Sequence, residues 1–426
     1  MKASNLIKFI ENGELNDALA KIYGEENVQA QKERYLSAAG EFLSYYGDIE
    51  TSIFSVPGRS ELSGNHTDHN HGKVMAGSID LDIIAFASKT DDGVIRIKSQ
   101  GFDEDAVNIN EYKEPKEADF FKSSALIAGM SRAFENYGAT SGGYCAYTTS
   151  NVFKGSGLSS SAAFEVMVGN ILNYFYNDGK VDNVEIAKMA QYSENVFFGK
   201  PCGLMDQMAC AVGGFVYIDF DDTKNPVIEK IPFDLSGAGY ALCIVNTGGN
   251  HADLNEDYAS VPYEMKSVAK YFGKEYLRQL DKASVLENVQ VLREKCGDRA
   301  ILRAIHFFNE NDRVAKQANA LKSGDVDSFL KFVIKSGNSS FMYLQNVFTT
   351  KNVQEQGLSL ALAITDSVLA GKKCAYRVHG GGFAGTIQAF VKTELVEEYR
   401  QAIDSAFGKG ACHVLRIRPD GAIKVF

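Results

Sequence analysis

The stretch Lys154-Gly155-Ser156-Gly157-Leu158-Ser159-Ser160-Ser161-Ala162-Ala163 lies where strand-like sequence gives way to a long helical pattern, about Ser160 to Tyr176. A strand, a glycine- and serine-rich loop and a helix in that order constrain the local fold strongly. The first N–H groups of a helix have no partner within it, so a phosphate bound there would meet several of them, with serine hydroxyls beside them. Glycines let the main chain approach such a group with no Cβ in the way. The pattern is not a P-loop, because G-x-x-x-x-G-K-[ST] occurs nowhere in the chain. Nor is it a dinucleotide fingerprint, because Ser160 stands where the third glycine belongs. The same residues would also make an ordinary Ser/Gly turn opening a helix.

The 426 residues suffice for roughly two to three domains with cores of their own. Tyr35, Leu36, Ala39, Phe42, Leu43 and Tyr46 recur at helical spacing and stop at Gly47, which predicts a helical piece within residues 1–50. Strand-like runs follow at Ser52–Val56, Val74–Ser88 and Val94–Ser99. Asp182 and Glu185 predict a capping box, opening a helix that carries Glu194 near its end. Strands at Gly214–Asp219 and Tyr240–Asn246 flank the turn-rich Asp221–Pro226, read as a boundary. Strands and helices mix without regular alternation, which predicts an α+β fold. The expected division is a helical extension over 1–50, a domain over 51–222 and a domain over 223–426.

With 44 Lys+Arg against 54 Asp+Glu, the formal charge of −10 argues against a general nucleic-acid binder. It leaves room for small anions, which need only local positive groups and N–H donors. No apolar run approaches the roughly 18 residues of a membrane span, and Met1–Leu15 is too polar for a secretory leader. Cys145, Cys202, Cys210, Cys243, Cys296, Cys374 and Cys412 are scattered, odd in number and without a C-x-x-C pair, which fits free thiols in the cytoplasm.

Three more stretches stand out. Pro57-Gly58-Arg59-Ser60-Glu61-Leu62-Ser63-Gly64-Asn65-His66-Thr67-Asp68-His69-Asn70-His71-Gly72 is dense in hydrogen-bonding side chains and reads as a polar loop between strands. It suits a polyol or sugar, with Arg59 cationic toward phosphate, or a metal held by His66, Asp68, His69 and His71, although no metal-binding helix spacing is present. Arg377-Val378-His379-Gly380-Gly381-Gly382-Phe383-Ala384-Gly385 marks a sharp turn or a main chain passing close to a ligand. Cys202-Gly203-Leu204-Met205-Asp206-Gln207-Met208 sets one acid among apolar neighbours, where it must face a cation or a polar cleft, or else cap a helix.

Taken in order, these stretches resemble the galactokinase branch of the GHMP small-molecule kinases. GRSELSGNHTDHNHG is similar to the signature GR-x-N-L-I-G-E-H-T-D-Y-N-x-G, and KGSGLSSSAA to the phosphate loop. SENVFFGKPCGLMDQ is similar to A-E-N-x-F followed by C-G-I-M-D-Q, and HGGGFAG to T-G-G-G-F-G-G. The resemblance implies a two-lobed GHMP kinase fold with its active site in the cleft between lobes, and transfer of the ATP γ-phosphate to a sugar's anomeric hydroxyl. It implies Asp206 as the acid acting on that hydroxyl, as base or as orienting group, with Arg59 beside it offsetting charge on the phosphoryl group. ATP would be held by Gly155, Ser156, Gly157, Leu158, Ser159, Ser160, Ser161 and Ala162, and magnesium by Ser161 with Glu194. Asn65, His66, Asp68, Gly203 and Tyr258 match positions that hold the sugar, with Gly380–Gly382 behind the pocket.

The chain departs from the signature at several points. Asn65 replaces the glutamate that accepts from the sugar's 6-hydroxyl, Glu61 replaces an asparagine, and His69 replaces the usual tyrosine. Asparagine both donates and accepts and carries no charge, so it would tolerate a carboxylate at that place. Galacturonate kinase, or a kinase of another modified galactose, is therefore the alternative to galactose. A non-catalytic sugar and ATP sensor is a further alternative, disfavoured because Ser161-Ala162, Asp206 and Arg59 are all retained.

Overall fold

Gly47 ends a helix, as its place after Tyr46 predicts: in the computed structural model Val28–Tyr46 is helical and Gly47 caps it with φ 83°. The structure describes residues 1–152, 157–249 and 254–426. Its strands, in chain order, are β1 (Ser52–Ser63), β2 (Lys73–Lys89), β3 (Val94–Ser99), β4 (Glu104–Asn108), β5 (Tyr144–Ser150), β6 (Phe215–Asp219), β7 (Val227–Ile231), β8 (Tyr240–Asn246), β9 (Ala375–Val378), β10 (Thr386–Lys392), β11 (Cys412–Leu415) and β12 (Ile423–Lys424).

The chain divides into two units, one of Met1–Arg59, Ser78–Gly214 and Arg418–Phe426, the other of Ser60–Gly77 and Phe215–Ile417. This differs from the three consecutive segments expected. The first 50 residues belong inside the first unit, and β1 and β2 each run from one unit into the other. Asp221–Pro226 is no boundary. It is the loop of a β6–β7 hairpin within the second unit, where Asp219 pairs with Val227.

In the first unit the strand order is β12–β1–β2–β5–β3–β4. β2 meets β5 antiparallel from Ile83 opposite Ser150, and β5 meets β3 in parallel. The helices Ala3–Glu11, Asn16–Tyr23 and Val28–Tyr46 are amphipathic pieces whose Leu6, Ile10, Leu19, Tyr35 and Phe42 share one core with Ile84, Phe86 and Tyr147 of the sheet. A buried charge locks them there. Asp82, with no exposed surface, pairs with Arg34 at 2.7 Å and Arg418 at 3.2 Å, and accepts from Tyr23 Oη at 2.5 Å and from Ser55. Burial opposes its charge, but the two guanidinium groups win and hold its carboxyl below the usual range.

In the second unit the first residues of β2 pair with β6, and β6 with β7, while a second sheet runs β11–β8–β10–β9. Helices Asn255–Tyr271, Asp298–Lys322, Val326–Ser339, Gly357–Leu369 and Val396–Phe407 complete it. Helices and largely antiparallel sheets together make the α+β class predicted.

Three local expectations change. Pro57–Ser63 is not loop but the second half of β1, buried along its length. Its polar side chains are tolerated because each finds a partner: Ser60 meets His379, Glu61 meets Arg377, and Ser63 meets Gln317. Asp182 does cap its helix by accepting from Val184 N at 2.8 Å, but Glu185 pairs with Lys188 instead of closing a capping box. That helix stops at Tyr192, and Glu194 sits in the π-helical turn Ser193–Phe197.

Candidate active site

The helix Met205–Val212 carries Asp206 in its first turn, and β1 carries Arg59. Arg59 grips Asp206 through both oxygens, Nε to Oδ1 at 2.8 Å and Nη2 to Oδ2 at 2.6 Å. Nη1 of Arg59 donates to Gly157 O, and its backbone N–H donates to Leu158 O at 3.1 Å. Gly58 is required beside it, since a Cβ there would lie 2.8 Å from Leu158 O. Ser159 Oγ donates to Asp206 Oδ2. The Arg59 side chain is 11% exposed, whereas that of Asp206 retains 34%, so the acid is open to a substrate and its partner is largely covered.

Gly155 and Ser156 lie outside the described residues. Beyond them, Ser159 has φ 59° and starts the helix Ser160–Tyr176 without any side-chain cap. Its hydroxyl is used on Asp206 and does not cap the helix, so among the described residues the N–H groups opening the helix have no side-chain cap. Ser160 and Ser161 help to line a cavity of about 650 Å³ with Val152, Phe164, Phe102 and Asp103. Leu158 and Ala162 face the core instead. Gly203 is exposed, three residues before Asp206.

Glu194 is buried and held by Lys200 Nζ at 2.9 Å and by Gln207 Nε2 at 2.7 Å. It is not a wall of the cavity that Ser161 lines. The same Gln207 amide reaches Glu165 Oε2 at 3.2 Å, while Glu165 Oε1 is buried with no hydrogen-bond partner among the described residues. Burial first, then the nearby Glu194, pushes the Glu165 carboxyl well above the usual range. Sequence reasoning assigned no role to Glu165 or Gln207. The signals were present: Glu165 follows Ser161 by one helical turn, and Gln207 follows Asp206 directly.

The second unit gathers Asn65, His66, Asp68 and Tyr258 with the glycine run. Asn65 has no exposed surface, and its amide is fully engaged by protein. Nδ2 donates to Glu61 Oε1 at 3.1 Å and Gly380 O at 2.6 Å, and Oδ1 accepts from Asn346 at 2.7 Å and Ser340 at 3.2 Å. His66, at φ 59°, donates from Nε2 to Gly381 O at 2.8 Å. Burial and the neighbouring His69 pull its pKa down to about 4. Tyr258 donates to Gly382 O at 2.9 Å, stacks edge-on against Phe383, and is pushed up to about 12 by burial. Asp68 opens a short turn, is partly exposed, and lies 3.7 Å from His69. His71 is stacked on Tyr276 at 3.8 Å, and among the described residues no three His, Cys, Asp or Glu side chains are arranged to hold a metal.

The family model of the GHMP kinases N terminal domain matches residues 123–214, and that of the galactokinase galactose-binding signature matches residues 40–89. A galactokinase of Streptomyces coelicolor is 30% identical over 379 residues, 88% of this chain and 94% of that one. Another, from Actinobacillus pleuropneumoniae serotype 3, is 31% identical over 87% of this chain and 93% of its own. Among solved structures, Lactococcus lactis galactokinase complexed with galactose matches with a TM-score of 0.75 at 24% identity, covering 92% of this chain and 100% of that one. A mevalonate kinase matches at 0.60 and 17% identity, covering 86% and 98%. Those two structures speak for a GHMP kinase fold, and the near-complete sequence matches go further: the chain belongs to the galactokinase family of GHMP kinases.

Proposed function

We propose that the protein transfers the γ-phosphate of ATP to the anomeric hydroxyl of galactose. The observation that carries this reading is the bidentate Arg59–Asp206 pair, joined by Ser159 at the start of an uncapped helix. The phosphates would lie along Gly155–Ala162, where helix N–H groups favour anions, and the nucleoside would take the cavity lined by Ser160, Ser161 and Phe164. Asp206 Oδ1 accepts from Arg59 Nε, and a carboxylate oxygen retains a second acceptor direction for the sugar's O–H. The acid thus orients the hydroxyl and receives its proton as the new O–P bond forms and the bond from the γ-phosphorus to the bridging oxygen breaks, releasing ADP. Arg59 fixes the carboxylate and offsets charge on the transferring group.

Asp68, His66, Gly203 and Tyr258 would meet the sugar's hydroxyls, with Asn65 shaping the turn that carries two of them. Magnesium, which would neutralise charge on the nucleotide phosphates, suits hard oxygen donors such as Ser161 and Glu194. The unpartnered Glu165 Oε1 beside Gln207 is the kind of buried oxygen that a cation nearby would satisfy. Among the described residues no helix is long and apolar enough to cross a membrane, and all seven cysteines are free, which supports a cytoplasmic enzyme.

The galacturonate alternative is not favoured. Its basis was the loss of charge at residue 65, yet the Asn65 amide is turned to protein partners, and the curated relatives carry the name galactokinase. Purified protein given ATP, magnesium and a panel of galactose, galacturonate, glucose, arabinose and N-acetylgalactosamine tests the reading. Galactose should give the highest kcat/KM. Preference for galacturonate, or silence on every sugar, would contradict it.

A further inference from the structure

Asn346 follows the π-helical turn Ser340–Leu344 and Gln345, whose φ of 58° is left-handed. Its side chain is fully buried in the second unit. Nδ2 donates to Asn65 Oδ1 at 2.7 Å and to Gly381 O at 3.0 Å, and the Asn346 carbonyl accepts from Phe383 N at 2.5 Å. Its Oδ1 has no hydrogen-bond partner among the described residues, so the amide's bonding is directed wholly at those two segments. The fit is tight enough that a Cβ on Gly382, which sits at φ 79°, would overlap the Asn346 carbonyl oxygen. Three successive carbonyls of the glycine run are thereby tied down: Gly380 O by Asn65, Gly381 O by His66 and Asn346, and Gly382 O by Tyr258.

We propose that Asn346 is a positioning residue for the sugar subsite, setting the distance between the turn that carries His66 and Asp68 and the Gly380–Gly382 run. The proposal rests on the sugar-kinase reading above. Asn346 belongs to neither segment and bonds to both, so it can hold their spacing whether or not sugar is bound. Removing its donor does not touch the Arg59–Asp206 pair or the helix that would bind nucleotide. The loss should therefore fall on sugar binding in ground state and transition state alike, which raises KM without lowering kcat.

Asn346→Asp tests this, because it keeps the shape but turns an acceptor-only carboxylate onto Asn65 Oδ1 and Gly381 O. Asn346→Ser is the second variant, should the aspartate fold poorly. For both, KM for galactose should rise on the order of tenfold, while kcat and KM for ATP stay within about twofold. Hydrogen exchange in a peptide covering 379–385 should quicken, with a peptide covering 160–176 unchanged. An unchanged galactose KM with unchanged exchange would overturn the proposal. So would an equal rise in both KM values with a lowered Tm, which marks general damage. A wild type silent on every sugar would fault the kinase reading alone, and the exchange arm would still decide whether Asn346 holds the two segments.

Discussion

Arg59 and Asp206 lie 147 residues apart in sequence and meet side by side, guanidinium to carboxylate, at 2.8 and 2.6 Å. Ser159 adds a third hydrogen bond to the same acid, and the arginine's remaining nitrogen holds the carbonyl of Gly157. Asp206, Gly157, Ser159 and the Arg59 end of β1's first half are thus one hydrogen-bonded assembly inside the first unit. Its geometry depends on a planar fork that a lysine cannot reproduce.

Arg59→Lys should therefore keep the charge and lose the geometry. The expected outcome is a fall in kcat of about a hundredfold or more, with the Tm lowered only modestly. Ser159→Ala, which removes one donor from Asp206, should cost less, about tenfold. Steady-state kinetics on the two variants check the order. A lysine variant that matches the wild type would show that charge alone suffices.

Asn65→Glu, the change that restores the usual glutamate, should destabilise the protein instead of sharpening its sugar preference. The new carboxylate would face Glu61 and the Gly380 carbonyl, where Asn65 now donates. Breaking this buried network should cost about 3–5 kcal/mol in urea denaturation. A variant of wild-type stability with a raised galactose-to-galacturonate ratio would mean that residue 65 faces the sugar.

That contrast marks how far the sequence could be read. Helix Ser160–Tyr176 and strand Tyr240–Asn246 were legible because their hydrophobic spacing is local. Asp206 and Arg59 were legible as members of ordered motifs. Pro57–Ser63 reads as loop in the sequence because it is dense in hydrogen-bonding side chains. The partners that bury them, Gln317, Arg377 and His379, lie more than 250 residues away and leave no trace in the local pattern. For the same reason Asn65 was recognisable as a substitution, while its engagement with Ser340, Asn346 and Gly380 was not.

The first 50 residues should prove indispensable to the first unit. Asp82→Asn leaves Arg34 and Arg418 without their buried counter-charge and should lower the unfolding free energy by about 3–5 kcal/mol. Deletion of residues 1–50 should give insoluble or unfolded protein, because it strips the partners of Ile84, Phe86 and Tyr147. A soluble, active truncation would show that the helices are an appendage.

Stability should fall on acidification in two stages. The His66 pKa is about 4 when folded against an ordinary 6.5, so between those values the unfolded chain binds more protons and stability declines as pH drops. Glu310 is the second stage. Burial opposes its charge, but Arg313, His306 and Arg377 hold it at about 2. Its contribution is present above an ordinary carboxyl pKa of 4.5 and is lost as pH falls toward 2. Burial also lowers His306, His71 and His413, so thermal melts of His66→Gln should show a shallower first decline and keep the second. A profile identical to the wild type would remove His66 from the account.

The Arg59–Asp206 site is proposed to direct transfer to the anomeric hydroxyl. Phosphorus NMR of the product formed from ATP and galactose, followed in the wild type and in Asp206→Asn, tests it most directly. The wild type should give galactose 1-phosphate, and the variant an initial rate on the order of a thousandfold lower, with the galactose-induced rise in Tm retained. Phosphate on another oxygen, or an undiminished rate in Asp206→Asn, would contradict it.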